Sequence, residues 1–380
     1  MKSKTKVISI ILFLSVFILL LSFGDQKSEW KGKIEVKNGI KIVKNPKEPL
    51  LDETPFNLIE DLTIRDRGGD ERYVFKQIWH VAVDDDENIY IPDSRAANIK
   101  VFDSNGNYLR TIGRRGQGPG ELGYPFGIQI TSDKELLIND RRQAKLHYFT
   151  LDGKFLRQYS TSTLGRFLLP KVDSKGNIIA GYMFYGDKIK AEIKKFTPDL
   201  KPLMKIASVP TVTQPPVIGY FENQRLINLH WGITKDDSII WGDISKYEFH
   251  VHSSEGKLIK RITTDYDGVK ITGEDKKKYI KEMFGNNPVP SRITLLFPKN
   301  LPPFRQFTID EEGRLFVRSY ENVKDDKGVY YDVFNTDGKY LARIILKMIP
   351  RCWKNNKLYA TGEDEEGNIV VKRYKVIWKY

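Results

Sequence analysis

The chain has 380 residues, of which 40% are hydrophobic and 12% aromatic, and this composition excludes disorder as the state of the whole chain. The formal net charge is +13, but the basic residues are dispersed and the densest run is Lys276 to Lys278. Dispersed charge does not favour nucleic acid binding; it fits solubility or attraction to an acidic partner. The single cysteine, Cys352, excludes an internal disulfide, and we interpret it as a buried structural thiol.

The N-terminus predicts export. Three lysines in the first six residues precede an apolar run over residues 7–23, and Ser22 and Gly24 are small residues placed as at a cleavage site. This order is typical of a signal peptide over residues 1–24, so we expect an exported protein, periplasmic or at the cell surface. The alternative is an uncleaved N-terminal membrane anchor, because a run of this length lies at the lower limit for spanning a bilayer.

The next segments alternate apolar and polar residues. Residues 34–44 read as two short strands around Asn38-Gly39, a strong hairpin signal, and residues 50–76 read as an irregular connector. Residues 81–110 and 128–157 are then nearly copies of each other, each with strands, a turn, strands and a second turn. A unit of this kind that recurs along the chain indicates a fold built from structural repeats.

The same unit recurs along the rest of the chain. Its first turns begin at Asp84, Ser132, Asp173, Lys235, Asp310 and Asp364, and its second turns at Asp103, Asp152, Pro198, Ser254 and Asp337. We therefore predict an all-β fold, a six-bladed β-propeller of four-stranded antiparallel blades, with the ring closed by the N-terminal strand at 34–44. Residues 25–380 form one domain in this prediction, with insertions near 208–222 and 264–304 and a short helix over 272–284.

The link Gly113-Arg-Arg-Gly-Gln-Gly-Pro-Gly-Glu121 and the strands that flank it resemble the NHL-repeat and related six-bladed propeller family of exported bacterial proteins. The likeness is clearest over residues 78–160. It implies the six-bladed fold but little about activity, because such propellers serve binding, scaffolding and several enzymatic roles. Residues 118–123 also match a GxGxxG pattern, but a strand pattern follows instead of the helix that a dinucleotide site needs.

Five arginines lie in links that share one end of a propeller. Arg95, Arg141 and Arg142 follow second strands, and Arg114 and Arg115 lie in a link between blades. These arginines are candidates for binding a carboxylate, a phosphate or an acidic sugar. In the alternative interpretation they brace neighbouring blades by pairing with Asp93, Asp140 or Glu121. Tyr185 and Trp231 would stack on a sugar or peptide if they lie at the same end.

The sequence marks no metal site. The five histidines are His80, His147, His230, His250 and His252. His250 and His252 share a strand face, but no third ligand is visible near them. Gluconolactonase-like propellers hold calcium through carboxylates and amides in the channel, so the resemblance makes Asp93, Asp140 and Asp243 the candidates if a metal is present.

We therefore expect a non-catalytic propeller that binds a ligand or partner at the cell envelope through one end of its channel. An envelope protein, a peptide or an anionic glycan is the expected partner of a monomer without a required cofactor. Two alternatives stay open. One is a lactonase-like hydrolase or lyase that uses calcium or zinc in the channel, and the other is a protein-interaction scaffold.

Overall fold

The computed structural model describes residues 29–164, 167–184, 190–210, 217–219, 229–291, 294–297, 299–323 and 328–379. Six four-stranded antiparallel blades follow one another along the chain. Their first strands lie next to each other in sequence order, and the first strand of the last blade contacts that of the first blade. The fold is a six-bladed β-propeller, as the repeat predicted.

Three strands precede the first blade, and three blades follow in uninterrupted order. The leading strands are β1 (Lys33–Lys37), β2 (Ile40–Asn45) and β3 (Phe56–Ile64). Blade 1 consists of β4 (Ala82–Val83), β5 (Ile89–Asp93), β6 (Asn98–Phe102) and β7 (Tyr108–Ile112). Blade 2 consists of β8 (Pro125–Ile130), β9 (Glu135–Asp140), β10 (Lys145–Thr150) and β11 (Phe155–Ser160). Blade 3 consists of β12 (Phe167–Val172), β13 (Ile178–Phe184), β14 (Lys190–Phe196) and β15 (Pro202–Pro210).

The last three blades are separated by longer links. After β16 (Val217–Gly219), blade 4 consists of β17 (Leu229–Ile233), β18 (Ile239–Asp243), β19 (Glu248–His252) and β20 (Leu258–Thr264). Helix α1 (Gly273–Phe284) and β21 (Thr294–Leu296) follow, and blade 5 consists of β22 (Gln306–Ile309), β23 (Leu315–Asn322), β24 (Val329–Phe334) and β25 (Tyr340–Leu346). Blade 6 consists of β26 (Ile349–Lys354), β27 (Lys357–Glu363) and β28 (Ile369–Trp378) together with β3.

The ring is closed by a different N-terminal strand from the one predicted. Strand β3 pairs antiparallel with β28 and supplies the fourth strand of blade 6, so the prediction that 34–44 closes the ring is wrong, as is the irregular connector over 50–76. Strand β3 buries Phe56 and Ile64 and lies immediately before blade 1 in the sequence. A strand that joins both chain ends in one sheet removes an exposed sheet edge.

The predicted hairpin forms, but it lies on the outer edge of blade 4. Strand β2 pairs in parallel with β20, and β1 is the outermost strand of that sheet. Asn45 fixes the hairpin against the next blade, because its side-chain amide donates to Gly338 O at 2.9 Å and accepts from Tyr340 N at 2.7 Å.

One of the turns predicted to join a first and a second strand has a different position in its blade. In blade 6 the first and second strands are joined by Asn355 and Asn356, whereas the turn beginning at Asp364 joins the second and third strands. The misassignment arose because Asp-Glu-Glu-Gly-Asn has the composition of the other first turns, while two asparagines in the left-handed region make a tighter turn without glycine.

Both insertions connect the fourth strand of one blade to the first strand of the next. They precede blades 4 and 5, and β16 in the first pairs in parallel with β21 in the second. The predicted helix forms as α1, with Thr272 and Asp275 in a reciprocal capping box and Gly285 at its end. Among the described residues, no helix has the length and apolarity that a membrane crossing requires.

The hydrophobic core is divided between the blades. Each interface between neighbouring blades has its own cluster of buried side chains, including the interface of blades 6 and 1, where Ile64 packs with Tyr359 and Val371. Each blade contributes two faces to this core, because successive residues of a strand point to opposite faces of its sheet. This packing between blades holds the first strand of each blade at a fixed position around the channel.

The glycine-rich link between blades 1 and 2 is a tight loop around one carboxylate. Glu121 accepts hydrogen bonds from the backbone of Gln117 and Gly118 at 3.0 and 2.9 Å. A Cβ on Gly116 would lie 2.0 Å from Oε2 of Glu121, and Gly113 has a φ of +71°. The glycines thus allow the backbone to close on Glu121. Strand β8 follows the link, whereas a dinucleotide-binding loop would be followed by a helix, so the link is not such a loop.

Candidate functional site

The first strands of all six blades surround a channel cavity of about 660 Å³. We call the end where these strands begin the basic end, defined by His80 and Arg351 in the cavity wall. Lys171 also lines the cavity but lies one residue before the end of β12, and its charge reaches His80. The opposite end, where first strands turn into second strands, is the turn end, defined by residues 84–86, Lys134 and Lys354. Both insertions open at the basic end, because links between blades start where fourth strands finish and finish where first strands begin.

The wall between the two ends is mostly apolar. Its side chains include Val81, Ile128, Trp231, Phe307 and Ile309, which come from blades 1, 2, 4 and 5. Trp231, predicted from the sequence to suit stacking, therefore lines the channel cavity. The other predicted aromatic residue, Tyr185, lies outside the described residues.

Lys171 is a half-buried cation in the cavity wall. It lies on β12 one residue before Val172, where its partner in the sheet is Ile179. Burial lowers the pKa of Lys171, and the nearby Cys352 thiol opposes this shift. Among the described residues, no carboxylate forms an ion pair with Lys171. The charge is thus held in a weakly polar environment without a partner of opposite sign.

Two arginines from blades 5 and 6 extend the positive charge of the basic end. Arg351 donates from Nε to Thr361 Oγ1 at 2.7 Å, and burial lowers its pKa to about 10. Arg318 is close enough for its charge to lower the pKa of Arg351, and burial also lowers the pKa of Arg318 itself. Nε of Arg318 is buried without a hydrogen-bond partner among the described residues. A buried guanidinium with an unused donor is suited to an acceptor oxygen from a ligand.

His80 is neutral at the same end. Nδ1 lies 2.8 Å from Phe126 O, so this nitrogen carries the proton and donates. Burial lowers the pKa of His80 to about 3, and the charges of Lys171, Arg351 and Arg141 contribute to this shift. The field at the basic end therefore opposes a further positive charge.

Two lysines at the turn end form ion pairs, whereas Lys134, in the first turn of blade 2, forms none among the described residues. Lys354 lies 2.9 Å from Asp85, and Lys357 lies 2.5 Å from Glu87. Asp84 accepts hydrogen bonds from the backbone and side chain of Asn88 at 2.7 and 2.8 Å. These contacts join the first turn of blade 1 to that of blade 6 and stabilise the closed ring.

The five arginines predicted from the sequence divide into one near the channel and four on the rim. Arg141 stacks on the ring of Phe126 at 4.2 Å, and its charge reaches His80. The exposed residues are Arg95, Arg114, Arg115 and Arg142. Arg114 pairs with Glu121 at 3.0 Å with its side chain 83% exposed, which matches the bracing alternative, and Nη2 of Arg115 donates to Arg95 O.

The three candidate metal ligands are occupied by backbone amides. Asp93 accepts from Lys76 N and Ala96 N at 2.7 and 3.0 Å, and Asp140 accepts from Gly123 N, Tyr124 N, Arg142 N and Gln143 N at 2.5 to 3.1 Å. Asp243 accepts from the backbone and hydroxyl of Ser245. They sit in three separate turns. No group of three potential metal ligands occurs among the described residues, so these aspartates do not fit a shared metal.

The histidine pair on β19 is used in packing. His250 stacks on Trp241 with ring centroids 4.1 Å apart and lies 3.3 Å from Glu248. His252 contacts Gly256 O through Nδ1 at 3.0 Å. Neither ring lines the channel cavity.

Lys171 and Arg351 were not identified from the sequence. The sequence nevertheless contained a signal for them. Each is a basic residue with apolar neighbours inside a first strand, Lys171 within 167–172 and Arg351 within 349–354. Charged residues are rare at buried strand positions unless they are paired. Which of them share a cavity depends on the ring, however, since these two residues are 180 positions apart in the sequence.

Comparisons with known proteins support the fold. A family model, DUF5128, described as a 6-bladed beta-propeller, matches residues 69–192. A putative exported protein from Bacteroides fragilis has a similar structure, with 13% identity, a TM-score of 0.58, and coverage of 89% of this chain and all of the other. A DUF4221 family member from Bacteroides vulgatus follows with 14% identity, a TM-score of 0.52, and coverage of 85% and 99%.

A gluconolactonase from Xanthomonas campestris is also similar, with 12% identity, a TM-score of 0.47, and coverage of 85% of this chain and 99% of the other. No curated protein sequence is significantly similar to the chain. At these identities the likeness shows the propeller fold alone. The narrower NHL-repeat assignment stays a prediction.

Proposed function

We propose that this protein is an exported, non-catalytic binding protein of the cell envelope, and that it holds an anionic ligand at the basic end of its channel. The observation that carries the proposal is that Lys171 and Arg351 both line the cavity, with Arg318 close to Arg351, and that none of the three forms an ion pair with a carboxylate among the described residues. The charges of Lys171 and Arg351 both reach His80. Buried charges in proteins are normally paired, so charges left without a partner in a cavity point to a partner that is bound from outside.

The signal-like N-terminus and the likeness to a putative exported protein support the location. Expression of the full chain in a bacterium, followed by intact-mass measurement of the envelope fraction, tests it. We expect a mature chain that begins at Asp25. Retention of the full chain in the cytosol would refute the export part of the proposal.

The binding part is tested by titrating the purified protein with sulfate, phosphate and citrate in a calorimeter at low ionic strength. We expect Lys171→Met to weaken binding of the best of these anions at least tenfold, because a charge-assisted contact is lost. Lys246→Met is the matched control, since Lys246 is an exposed lysine in a turn of blade 4 at the same end of the propeller.

An equal loss of affinity in both variants would mean that overall charge, not the channel, attracts the anions. Arg141→Ala and Arg95→Ala, measured as single variants, separate the contribution of the inner cation from that of the rim. We expect the inner Arg141 to account for most of the effect, because Arg95 is exposed to solvent, where charge contacts are weak.

A further inference from the structure

The links at the basic end of blades 1 and 2 expose three arginines that no carboxylate neutralises. Arg95, Arg115 and Arg142 are exposed, and none of them forms an ion pair among the described residues. The other exposed arginine of these links, Arg114, is paired with Glu121. Guanidinium groups on a surface bind the carboxylates of a partner through two parallel hydrogen bonds.

The carboxylates of the same links are turned inward. Asp93 and Asp140 are fully buried, and each accepts hydrogen bonds from backbone amides, among them Gln77 N at 3.2 Å and Gly123 N at 2.5 Å. Glu121 likewise accepts from the backbone of its own loop. These acidic residues fix the loops without neutralising the three exposed guanidiniums, so the surface that the links form is positive.

Contacts between the links make the three arginines part of one surface. Nη2 of Arg115 donates to Arg95 O, which joins the link between blades 1 and 2 to the turn after β5. Nε2 of Gln143 donates to Gly116 O at 2.9 Å, which joins the same link to the turn after β9, where Arg142 lies. The three guanidiniums therefore belong to loops that are fixed to one another.

An exposed aromatic residue borders these arginines. Trp79 is 36% exposed, its Nε1 donates to Tyr124 Oη at 3.1 Å, and its ring lies 5.5 Å from that of Phe126. The side chain of Arg142 lies against Gly123, the residue before Tyr124. The indole thus presents an apolar face beside the arginines, with its nitrogen already hydrogen-bonded. A side chain held in this way loses little conformational entropy when a partner packs on it.

The chemistry of this surface favours carboxylates over sugar hydroxyls. A hydroxyl both donates and accepts hydrogen bonds, whereas a guanidinium only donates. Acceptor groups in the links are engaged, since Asp93 and Asp140 bind backbone amides and Gln77 Oε1 accepts from Tyr124 Oη at 2.8 Å. A carboxylate only accepts, so it satisfies a guanidinium without needing an acceptor in return. Trp, Tyr and Arg are also the residue types enriched in protein–protein interfaces.

We propose that this surface docks an acidic segment of a partner protein, whose carboxylates bind the guanidiniums while one apolar side chain packs on the indole. We call the surface the rim patch and define it by Trp79, Arg95, Arg115 and Arg142. None of the four lines the channel cavity, so the rim patch is a second site beside the anion site proposed above. Single exposed ion pairs are weak, but several carboxylates on one segment bind several guanidiniums at once.

The test is binding of fluorescein-labelled synthetic peptides to the purified protein, measured by fluorescence anisotropy at low ionic strength. The probe peptide carries eight glutamates around one central phenylalanine. A second peptide has alanine in place of the phenylalanine, and a third has glutamines in place of the glutamates. We expect the phenylalanine peptide to bind most tightly and the glutamine peptide not to bind. Affinity should fall as salt is added, because exposed charge contacts are screened.

Arg95→Gln combined with Arg142→Gln tests the guanidiniums. This double variant should weaken binding of the phenylalanine peptide about tenfold, because two charge contacts are lost. Arg65→Gln combined with Lys246→Gln is the matched control, since it removes two exposed cations from blades 6 and 4 at the same end of the propeller. The control should leave peptide binding within about threefold, because the distant charges act only through the screened field.

Trp79→Ala tests the aromatic part of the rim patch. It should weaken the phenylalanine peptide about fivefold through lost apolar contact, while the alanine peptide stays within about twofold. Trp79→Phe keeps an aromatic face and should retain most of the affinity. Thermal unfolding of each variant shows whether it is folded, and the comparison of the two peptides on one variant is independent of its stability.

The two sites can fail separately. Lys171→Met should leave peptide binding unchanged, and the double variant of Arg95 and Arg142 should leave sulfate binding unchanged. Absence of peptide binding, or an equal loss in the double variant and its control, would overturn the rim patch and not the anion site. Tighter binding of labelled oligogalacturonate than of the phenylalanine peptide, lost in the double variant, would overturn the acidic protein segment in favour of an acidic glycan.

Discussion

Two groups of cations around the channel differ in whether a carboxylate pairs with them. At the turn end, Lys354 and Lys357 each lie within 3 Å of a carboxylate from the first turn of blade 1. Arg351, at the basic end, and Lys171, further along its strand, face the cavity without such partners among the described residues. The same ring of first strands supplies both ends, so the difference lies in the side chains and not in the fold.

The contrast separates charges that build the structure from charges that are held for a ligand. Paired groups join blade 1 to blade 6 where the ring closes, and their loss should destabilise the protein. Cations that lack a partner add a desolvation cost to the unliganded protein, and their removal should stabilise it while abolishing binding. Four predictions follow this distinction, in order of decreasing effect.

Asp84→Ala should lower the free energy of unfolding by about 3 kcal/mol, because it leaves the amide of Asn88 and the hydroxyl of Tyr90 without their acceptor in a buried turn. Urea denaturation measures the loss. Asp84→Asn keeps the shape and one acceptor, so it should cost about half as much. A loss below about 1 kcal/mol in the alanine variant would contradict the structural role of this carboxylate.

Acid should destabilise the basic end through its histidines. Burial lowers the pKa of His80 to about 3 and that of His230 to about 4. Between these values and the ordinary value of 6.5, the unfolded chain binds more protons than the folded one, so the stabilisation is complete above pH 6.5 and decreases as pH falls. We expect each histidine to contribute a loss on the order of 2 kcal/mol between pH 6.5 and 4.5, measured by denaturation at each pH.

Replacing His80 tests whether its protonation causes part of the loss of stability at low pH. His80→Gln should flatten the pH dependence over the same window, because no imidazole remains to be protonated at that position. Sulfate, if bound at the basic end, should also reduce the loss of stability at low pH by compensating the new positive charge. An unchanged pH profile in His80→Gln would assign the loss to other groups.

Glu87→Gln should destabilise the protein by about 1 kcal/mol, because the ion pair with Lys357 and the weaker contact with Arg373 are lost at the junction of blades 1 and 6. Glu365→Gln is the matched control, since Glu365 is an exposed glutamate in a turn of blade 6. The difference between the two variants should shrink at high salt, which screens the pair.

Lys171→Met should raise the free energy of unfolding by roughly 0.5 to 1 kcal/mol in the absence of ligand, because it removes a desolvated charge and keeps the apolar stem. Lys246→Met should leave stability within about 0.5 kcal/mol. A destabilised Lys171→Met protein would place Lys171 among the structural charges and remove the contrast between the two groups of cations.

Prediction from sequence succeeded where the determinant was local. The hairpin around Asn38-Gly39, the helix starting after Thr272 and the strands on both sides of the glycine-rich link all form as the pattern indicated. It failed where two segments with a strand pattern could each have supplied the strand that closes the ring. Both 34–44 and 56–64 are able to form strands, and pairing with β28 selected the one adjacent to blade 1.

Prediction of the candidate site from the sequence was limited in the same way. The arginines in equivalent links were predicted to bind a ligand, and that stays a prediction. In the structure the charge of Arg141 reaches His80 in the cavity wall, whereas Arg114 is paired with Glu121. Exposure of a link residue depends on how its loop folds back, which sequence spacing does not specify. Asp93 and Asp140 likewise appeared as metal candidates until their hydrogen bonds to backbone amides were visible.

The number of blades and their four-stranded pattern follow from the sequence, because alternation and turn chemistry act over a few residues. Which strand closes the ring depends on tertiary contacts, as does the presence of Lys171 and Arg351 in one cavity wall with Arg318 close to Arg351. The physical reason is that the channel wall takes one short strand from each blade. Its chemistry therefore depends on long-range contacts between residues far apart in the chain.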